Sequence, residues 1–470
     1  MTFALTSEQL EIREAVTRLC TRFGDDYWLK KDEGGEFPHE FHRAMAEGGW
    51  LGVAMPEEFG GGGLGISEAA VVMQAVAQSG AGFSGASAVH MNIFGLNPVV
   101  VFGTDDQKRR FLPPLIAGKE KACFAVTEPD VGLDTTRLKT RAVKDGNGYV
   151  ITGRKIWTST AQVTEKMLIL ARTTPLEDAA RPSAGMSLFY TDLDRSAVEV
   201  REIHKMGRAA VDSNLLFIDG LKVPLEDRIG EEGKGFQYIL HGMNPERILI
   251  AAEAVGLGRA ALARAARYAG ERVVFGRPIG QNQGIQHPLA ERWIDLEAAE
   301  LLVHRAAAAY DAGGDADAVG AYANAAKYFA AEAVGLGRAA LARAARYARE
   351  RVVFGRPIGQ NQGIQHPLAE RWIELEAAEL LTLRAAAAYD RGEEAGTVGA
   401  YANAAKYFAA EAGHRACETA VLTHGGMGYA REFHVERFFR EIQIARIAPI
   451  SPQLILSHIA ERVLGLPKSY

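Results

Sequence analysis

The chain has 470 residues, 48% hydrophobic and 24% charged, with a formal net charge of −5; this supplies a sizeable core and suggests two to four domains at roughly 150 residues each. No Lys/Arg run is interleaved with aromatics, so nucleic-acid binding is not expected. Three cysteines without a CxxC pair (Cys20, Cys123, Cys417) build no disulfide framework and fit a reducing cytoplasm, and neither a signal core nor about 18 uninterrupted apolar residues for a membrane span is found.

Residues 1–120 read as an α-helical domain. Ser7 with Leu10, Ile12, Val16 and Leu19 gives a capped amphipathic start, and the runs EFHRAMAEGGWLGV, SEAAVVMQAVAQSG and DDQKRRFLPPLIAG continue it. His39 and His42 stand three apart without a further ligand cluster, so no metal site is expected. The loop 60–65 matches GxGxxG in form. No buried strand precedes it and no acidic residue follows at about twenty positions, so it reads as a flexible surface turn rather than a dinucleotide cradle.

From about Lys121 to Gly235 the pattern changes to short alternating runs, among them ACFAVTEP, KMLILART and NLLFIDGLKV. Asp145-Gly146-Asn147-Gly148 between two such runs predicts a hairpin, and several strands at short spacing predict a β-barrel or sandwich. Residues 236–470 return to helical spacing of Ala, Leu and Arg. The expectation is therefore an α+β chain: helical domain, middle β domain, C-terminal helix bundle.

That bundle contains a repeat. Residues 253–331 return 79 positions later as 332–410, with nine differences, including Asp295 against Glu374 and Val303-His304 against Thr382-Leu383. Two units inside unrelated flanks are not a solenoid, which needs about three. They read as a recombination product, and removing one 79-residue unit from 470 leaves an ordinary chain of 391.

The order of motifs resembles the acyl-CoA dehydrogenase family over the whole chain apart from the extra copy. Phe124-Ala125-Val126-Thr127 is similar to the family's flavin-facing strand, and Lys155-Ile156-Trp157-Thr158-Ser159 to its second flavin contact. Arg272, Phe275 and Gln283 resemble the arm that reaches the FAD of a neighbouring subunit, Gly425 and Gly426 the glycine turn near the cofactor, and Ser451 and Gln453 contacts in the last segment. Independently of the resemblance, a flat flavin ring suits apolar, flat or β-branched groups with a few hydroxyls, which Phe124, Val126, Thr127, Trp157 and Ser159 supply. Arg272 suits the anionic pyrophosphate.

The resemblance implies FAD as cofactor, an acyl-CoA thioester as substrate, an electron-transfer flavoprotein as acceptor, and a cytoplasmic homodimer or homotetramer. Desaturating a thioester needs a base for the α-proton while the β-hydride leaves for flavin N5. Where most of the family has that Glu late in the chain, this sequence has Pro449, which cannot serve. In relatives resembling isovaleryl- and long-chain enzymes the Glu stands early on the first bundle helix. Here Met243-Asn244-Pro245-Glu246-Arg247 puts Glu246 in that place, with Asn244 and Arg247 implied as substrate-binding neighbours. An apolar, buried setting would raise its pKa towards working pH. Leu133 and Leu422 replace a Ser and a Gln usual near the cofactor, each losing a hydrogen bond.

The extra copy carries a second arm, Arg351, Phe354 and Gln362. Since Glu246 begins the helix that ends at Arg272, the first arm is expected to serve the flavin. Residues 321–354 read as one helix of about 35 residues, on the order of 50 Å. The surplus hairpin would protrude, widen the bundle, or pair with another subunit. Competing expectations are an oxidase or flavin monooxygenase on the same scaffold, and a disarmed, flavin-free helical assembly protein.

Overall fold

Helix α1 (Ser7–Cys20) opens on a capping box: Thr6 Oγ1 accepts from Gln9 N–H at 3.1 Å while the Gln9 side chain accepts from Thr6 N–H at 3.0 Å. The cap is thus Thr6, not Ser7, and the buried stripe is Ile12, Val16 and Cys20, leaving Leu10 exposed. This is a computed structural model, and it describes residues 5–131, 134–205, 207–314, 335–391, 393–443, 446 and 451–468. They fall into two compact units, Leu5–Leu257 with Ala307–Ala323, and Gly258–Ala306 with Asn324–Tyr470.

In the first unit α1 is followed by α2 (Asp25–Gly34), α3 (His39–Glu47), α4 (Ile66–Val76), α5 (Gly82–Phe94), α6 (Asn97–Phe102) and α7 (Asp105–Ile116). One stretch, Ile66–Phe102, is long and apolar enough by composition to cross a membrane. It is broken where Gly80 (φ 109°) and Gly82 (φ 54°) turn the chain, and 78% of its most apolar window is buried inside the fold, so it serves as core. The loop before α4 is backbone-paired rather than flexible: the N–H groups of Gly61, Gly62, Gly63 and Leu64 donate to the carbonyls of Pro56, Gly52, Met55 and Val53. The α4 N-terminus is filled by Asp311, whose carboxylate accepts from Ile66 N–H at 2.8 Å and Ser67 N–H at 2.9 Å. A carboxylate of the chain itself takes the position a phosphate would need.

The middle region forms one eight-stranded sheet: β1 (Ala122–Ala125), β2 (Arg141–Asp145), β3 (Gly148–Ser159), β4 (Lys166–Arg172), β5 (Met186–Asp192), β6 (Val198–Glu202), β7 (Ser213–Pro224) and β8 (Arg228–Ile229), ordered β6-β7-β3-β2-β4-β5-β8 with β1 on β4. The β2–β3 hairpin turns at Gly146 (φ 55°), pairing Asp145 with Gly148. Its two halves meet through the single β2–β4 pair Arg141–Arg172 and share one core, to which Ile151, Met167, Ile169, Phe189, Leu216 and Ile218 contribute. The sheet is therefore folded over on itself as a sandwich. Alternate residues of β4, Leu168 and Leu170, face a second core with Leu96, Phe111 and Leu115 of the helices. Burial on both faces explains why KMLILAR lacks a polar alternation.

Helix α8 (Gly235–Glu271) starts in the first unit and ends in the second. The second unit holds α9 (Gln283–Asp311) up to Ala306, then α10 (Gly335–Glu350), α11 (Gln362–Asp390), α12 (Ala395–His424), the short α13 (Val435–Glu441) and α14 (Pro452–Arg462). The proposed helix through residues 321–354 lies outside the described residues up to 334; α10 begins at Gly335. The second copy does not protrude. Its α10 and α11 enclose apolar cores with α12 and α13, built on Ala340, Leu341, Ala344, Leu375, Ala416, Cys417 and Phe438.

The two copies also bind each other. Arg305 Nη1 donates to Glu376 at 2.9 Å, and Arg384 Nη1 to Glu297 at 2.6 Å. Arg384 and Glu376 are the repeat equivalents of Arg305 and Glu297, so α9 and α11 run antiparallel about a pseudo-two-fold axis midway, near Leu301 and Leu380, both buried. Each Glu is held a second time within its own copy, Glu297 by Arg259 and Glu376 by Arg338, both at 2.7 Å.

Candidate active site

In the first unit the two segments that resemble flavin contacts are joined. Ile156 N–H donates to Thr127 C=O at 2.9 Å, and Lys155 Nζ, fully buried, donates to Val126 C=O at 3.1 Å and to Glu128 at 2.9 Å. Glu128 accepts further from the N–H groups of Lys139 and Thr140. Burial lowers the Lys155 pKa to about 8 against the pull of Glu128. This charged clamp holds the segment that leaves β1, with Val126 and Thr127, against β3.

Between Lys155 and Thr158 the β3–β7 register shifts, and Trp157 stands at φ 59° with 57% of its surface exposed. A bulky residue at positive φ is strained. Here the bulge turns a flat apolar side chain out of the sheet. Thr158 Oγ1 is buried with no hydrogen-bond partner among the described residues. An uncovered indole beside apolar β-branched groups and hydroxyls fits a flavin.

Glu246 lies on α8, half-buried rather than enclosed as expected. Three residues earlier, Met243 packs, as Phe124 does, against the apolar cluster that contains Val126, and residues three apart share a helix face. Arg247 Nη1 donates to Asn244 Oδ1 at 3.0 Å, so the two implied substrate neighbours hold each other. Further along that face Glu253, 1% exposed, lies 2.8 Å from His90 Nδ1 on α5. His90 is tilted against Phe94, and Phe94 meets Phe124 edge-on at 6.0 Å.

Sequence reading missed this pair and Arg208. The Arg208 guanidinium donates to Ser87 Oγ at 2.8 Å and Ser159 Oγ at 3.3 Å, from a backbone at φ 59°. His90, a polar residue inside an apolar helix, was a visible signal. Arg208 had none, because a turn residue carries no periodicity. His42, by contrast, is buried against Asn92. Among the described residues no cluster of three His, Cys, Asp or Glu could hold a metal. A cleft of about 740 Å³ lined by Gln107, Arg110, Arg228 and Tyr238 contains none of the residues above.

In the second unit both arms fold alike. Val274 pairs with Arg277 and Val353 with Arg356, and Phe275 (φ 51°) and Phe354 (φ 50°) stand fully exposed at the tips. Arg272, Gln283, Arg351 and Gln362 are exposed beside them. Gly425 (φ 59°) and Gly426 end α12, and a side chain at Gly428 would strike Val421 C=O at 2.2 Å. Leu422, where a hydrogen bond was expected to be lost, is 71% exposed. Ser451 caps α14, accepting from Leu454 N–H, with Gln453 in its first turn. Leu133 and Pro449 lie outside the described residues.

Three domain signatures of acyl-CoA dehydrogenases match: the N-terminal domain at residues 6–119, the middle domain at 123–221, and the C-terminal domain twice, at 233–334 and 329–464. The chain is 31% identical over 472 aligned positions to acyl-CoA dehydrogenase FadE12 of Mycobacterium tuberculosis, covering 100% of this chain and 99% of that one. It is 36% identical over 309 positions to benzylmalonyl-CoA dehydrogenase of Aromatoleum aromaticum, covering 65% and 80%. Its fold is similar to butyryl-CoA dehydrogenase of Megasphaera elsdenii (TM-score 0.52, 23% identity, 99% and 100% covered) and to the FAD complex of PigA (TM-score 0.63, 21% identity, 99% and 100% covered). The chain belongs to the acyl-CoA dehydrogenase family, flavoprotein oxidoreductases with FAD as cofactor.

Proposed function

We propose that this chain removes the α-proton and β-hydride of an acyl-CoA thioester, with Glu246 as the base. The observation that supports it is the packing of Met243, one helical turn from Glu246, on the cluster that contains Val126 and against which Phe124 also packs. Residues three apart share a helix face, which supports a reading in which the Glu246 carboxylate would be turned towards the flavin-facing strand. Asn244 and Arg247, bonded to each other, are suited to hold polar parts of the substrate beside it.

Phe124, Val126, Thr127, Trp157 and Ser159 would hold the cofactor's ring, and Arg208 orients Ser159. Bound there, FAD supplies the hydride acceptor. Arg272, Phe275 and Gln283, with Gly425, Gly426, Ser451 and Gln453, would serve FAD of a neighbouring chain in a homo-oligomer. The first arm is favoured over the second because the C-terminal segment bearing Ser451 and Gln453 is bonded to its base: Gln286 Nε2 donates to Pro467 C=O at 2.6 Å and His287 Nε2 lies 3.2 Å from Ser457 Oγ. Electrons would leave to an electron-transfer flavoprotein, in a cytoplasmic setting that suits three buried cysteines standing outside any disulfide.

Anaerobic bleaching of the bound flavin by a panel of acyl-CoAs tests the assignment. Wild type bleaches with its substrate; Glu246→Gln keeps the flavin and loses bleaching by about 10²-fold or more. Undiminished bleaching in Glu246→Gln removes Glu246 from the reaction.

A further inference from the structure

The repeat presents twice the residues that hold the C-terminal segment, and the chain has one such segment. On the first copy the surface is covered. Leu466, 4% exposed, sits over Gly280; Gln286, fully buried, donates to Pro467 C=O; His287 meets Ser457; and Ala290 is fully buried. The equivalents on the second copy, Gly359, Gln365, His366 and Ala369, are the same residue types. There Gln365, His366 and Ala369 are exposed and Gly359 is half-buried. Beside them a groove of about 490 Å³ is lined by Leu341, Ala345, Leu368, Ala369 and Trp372. Trp372 is half-buried, whereas its equivalent Trp293 is 9% exposed.

We propose that this groove at the start of α11 is a docking site for the C-terminal segment, residues 451–468, of a second copy of the chain. The occupant is specified by the covered twin, since identical residues present the same donors and the same apolar floor. The chain's own segment cannot fill both. The antiparallel pairing of α9 and α11 puts the two surfaces at opposite ends of that pair, roughly 40 Å apart at 1.5 Å per residue, while α14 has 11 residues and remains on α12 and the first copy. The contact is head-to-tail, a surface of one chain receiving a different element of the next, so it builds rings or open chains rather than a closed two-fold pair.

The test titrates a fluorescent synthetic peptide of residues 451–468 into the full chain and follows anisotropy. Saturable binding at one peptide per chain is expected. Ala369→Arg, which places a long charged side chain on the groove floor, should weaken it at least about tenfold, as should Leu466→Asp in the peptide. Two results overturn the proposal. One is no binding up to roughly millimolar peptide, the weak end of specific association. The other is binding that survives Ala369→Arg, which would mean that the peptide displaces the resident segment from the first copy. Melting of the Ala369→Arg protein within a degree or two of wild type separates a blocked groove from a misfolded chain.

Discussion

His90 Nδ1 and Glu253 Oε1 lie 2.8 Å apart, both buried, with Glu253 two turns beyond Glu246 on the same face of α8. The other oxygen, Oε2, has no hydrogen-bond partner among the described residues. Glu253→Ala strands the imidazole in an apolar setting and should cost about 1 to 3 kcal/mol, read as a lower Tm. Glu253→Gln keeps an acceptor and should lose less than half of that. Because His90 continues through Phe94 to Phe124, Glu253→Ala should also raise KM more than it lowers kcat, the signature of a positioning residue. Equal Tm for the Ala and Gln variants would refute the role.

Trp157 stands at a φ where an L side chain is strained and glycine is not. Trp157→Gly should therefore leave the FAD-free protein as stable as wild type, or more stable by about 1 kcal/mol, while weakening FAD binding by tenfold or more through loss of the exposed ring. Paired Tm and flavin-fluorescence titrations decide it. Tighter FAD binding in Trp157→Gly would show that the indole is not a flavin contact.

Glu374 in α11 and its repeat equivalent Asp295 in α9 have pKa values raised to about 7 and about 6. Burial does this, against the opposing pull of Arg415 and Arg371 on Glu374 and chiefly of Arg292 on Asp295. A raised carboxyl favours the fold only while protonated. Its contribution is complete below the unfolded-state value, 4.5 for Glu374, and is lost as pH rises through 7. Stability should fall between pH 5 and pH 8, by on the order of 2 to 3 kcal/mol from Glu374. Glu374→Gln removes that slope and melts higher at pH 8. An unchanged pH slope in Glu374→Gln would contradict the assignment.

The fold class was legible because each region carries its own period: helical spacing in α1 and α12, alternation in β3, and Asp145-Gly146-Asn147-Gly148 for a hairpin. The repeat was legible as identity. What the sequence could not carry were long-range pairings. Asp311 reaching the α4 N-terminus, Arg208 joining Ser87 to Ser159, and Glu253 meeting His90 link residues 49 to 245 positions apart. No local period encodes such partners. Glu246 was assigned by motif position, and its partial exposure depends on packing that motif position does not specify.

The reciprocal pairs Arg305–Glu376 and Arg384–Glu297 give the clearest test of how the two copies are joined, because each carboxylate is shared with an Arg of its own copy. Removing one partner leaves a charge 5 to 6% exposed at the carboxylate without half of its compensation, and breaking a buried pair costs about 3 to 5 kcal/mol. Arg305→Met alone should therefore lower Tm by several degrees. Arg305→Met with Glu376→Met replaces both charges by apolar groups and should recover much of the loss, a coupling of about 1 to 3 kcal/mol in a double-mutant cycle. The pseudo-two-fold makes a further demand: Arg384→Met with Glu297→Met should show the same coupling, since the network is repeated by sequence identity. Mixing separately purified single variants should not restore Tm, because both partners sit in one chain. Restoration on mixing would place the contact between chains, and two unequal couplings would show that the copies do not pair symmetrically.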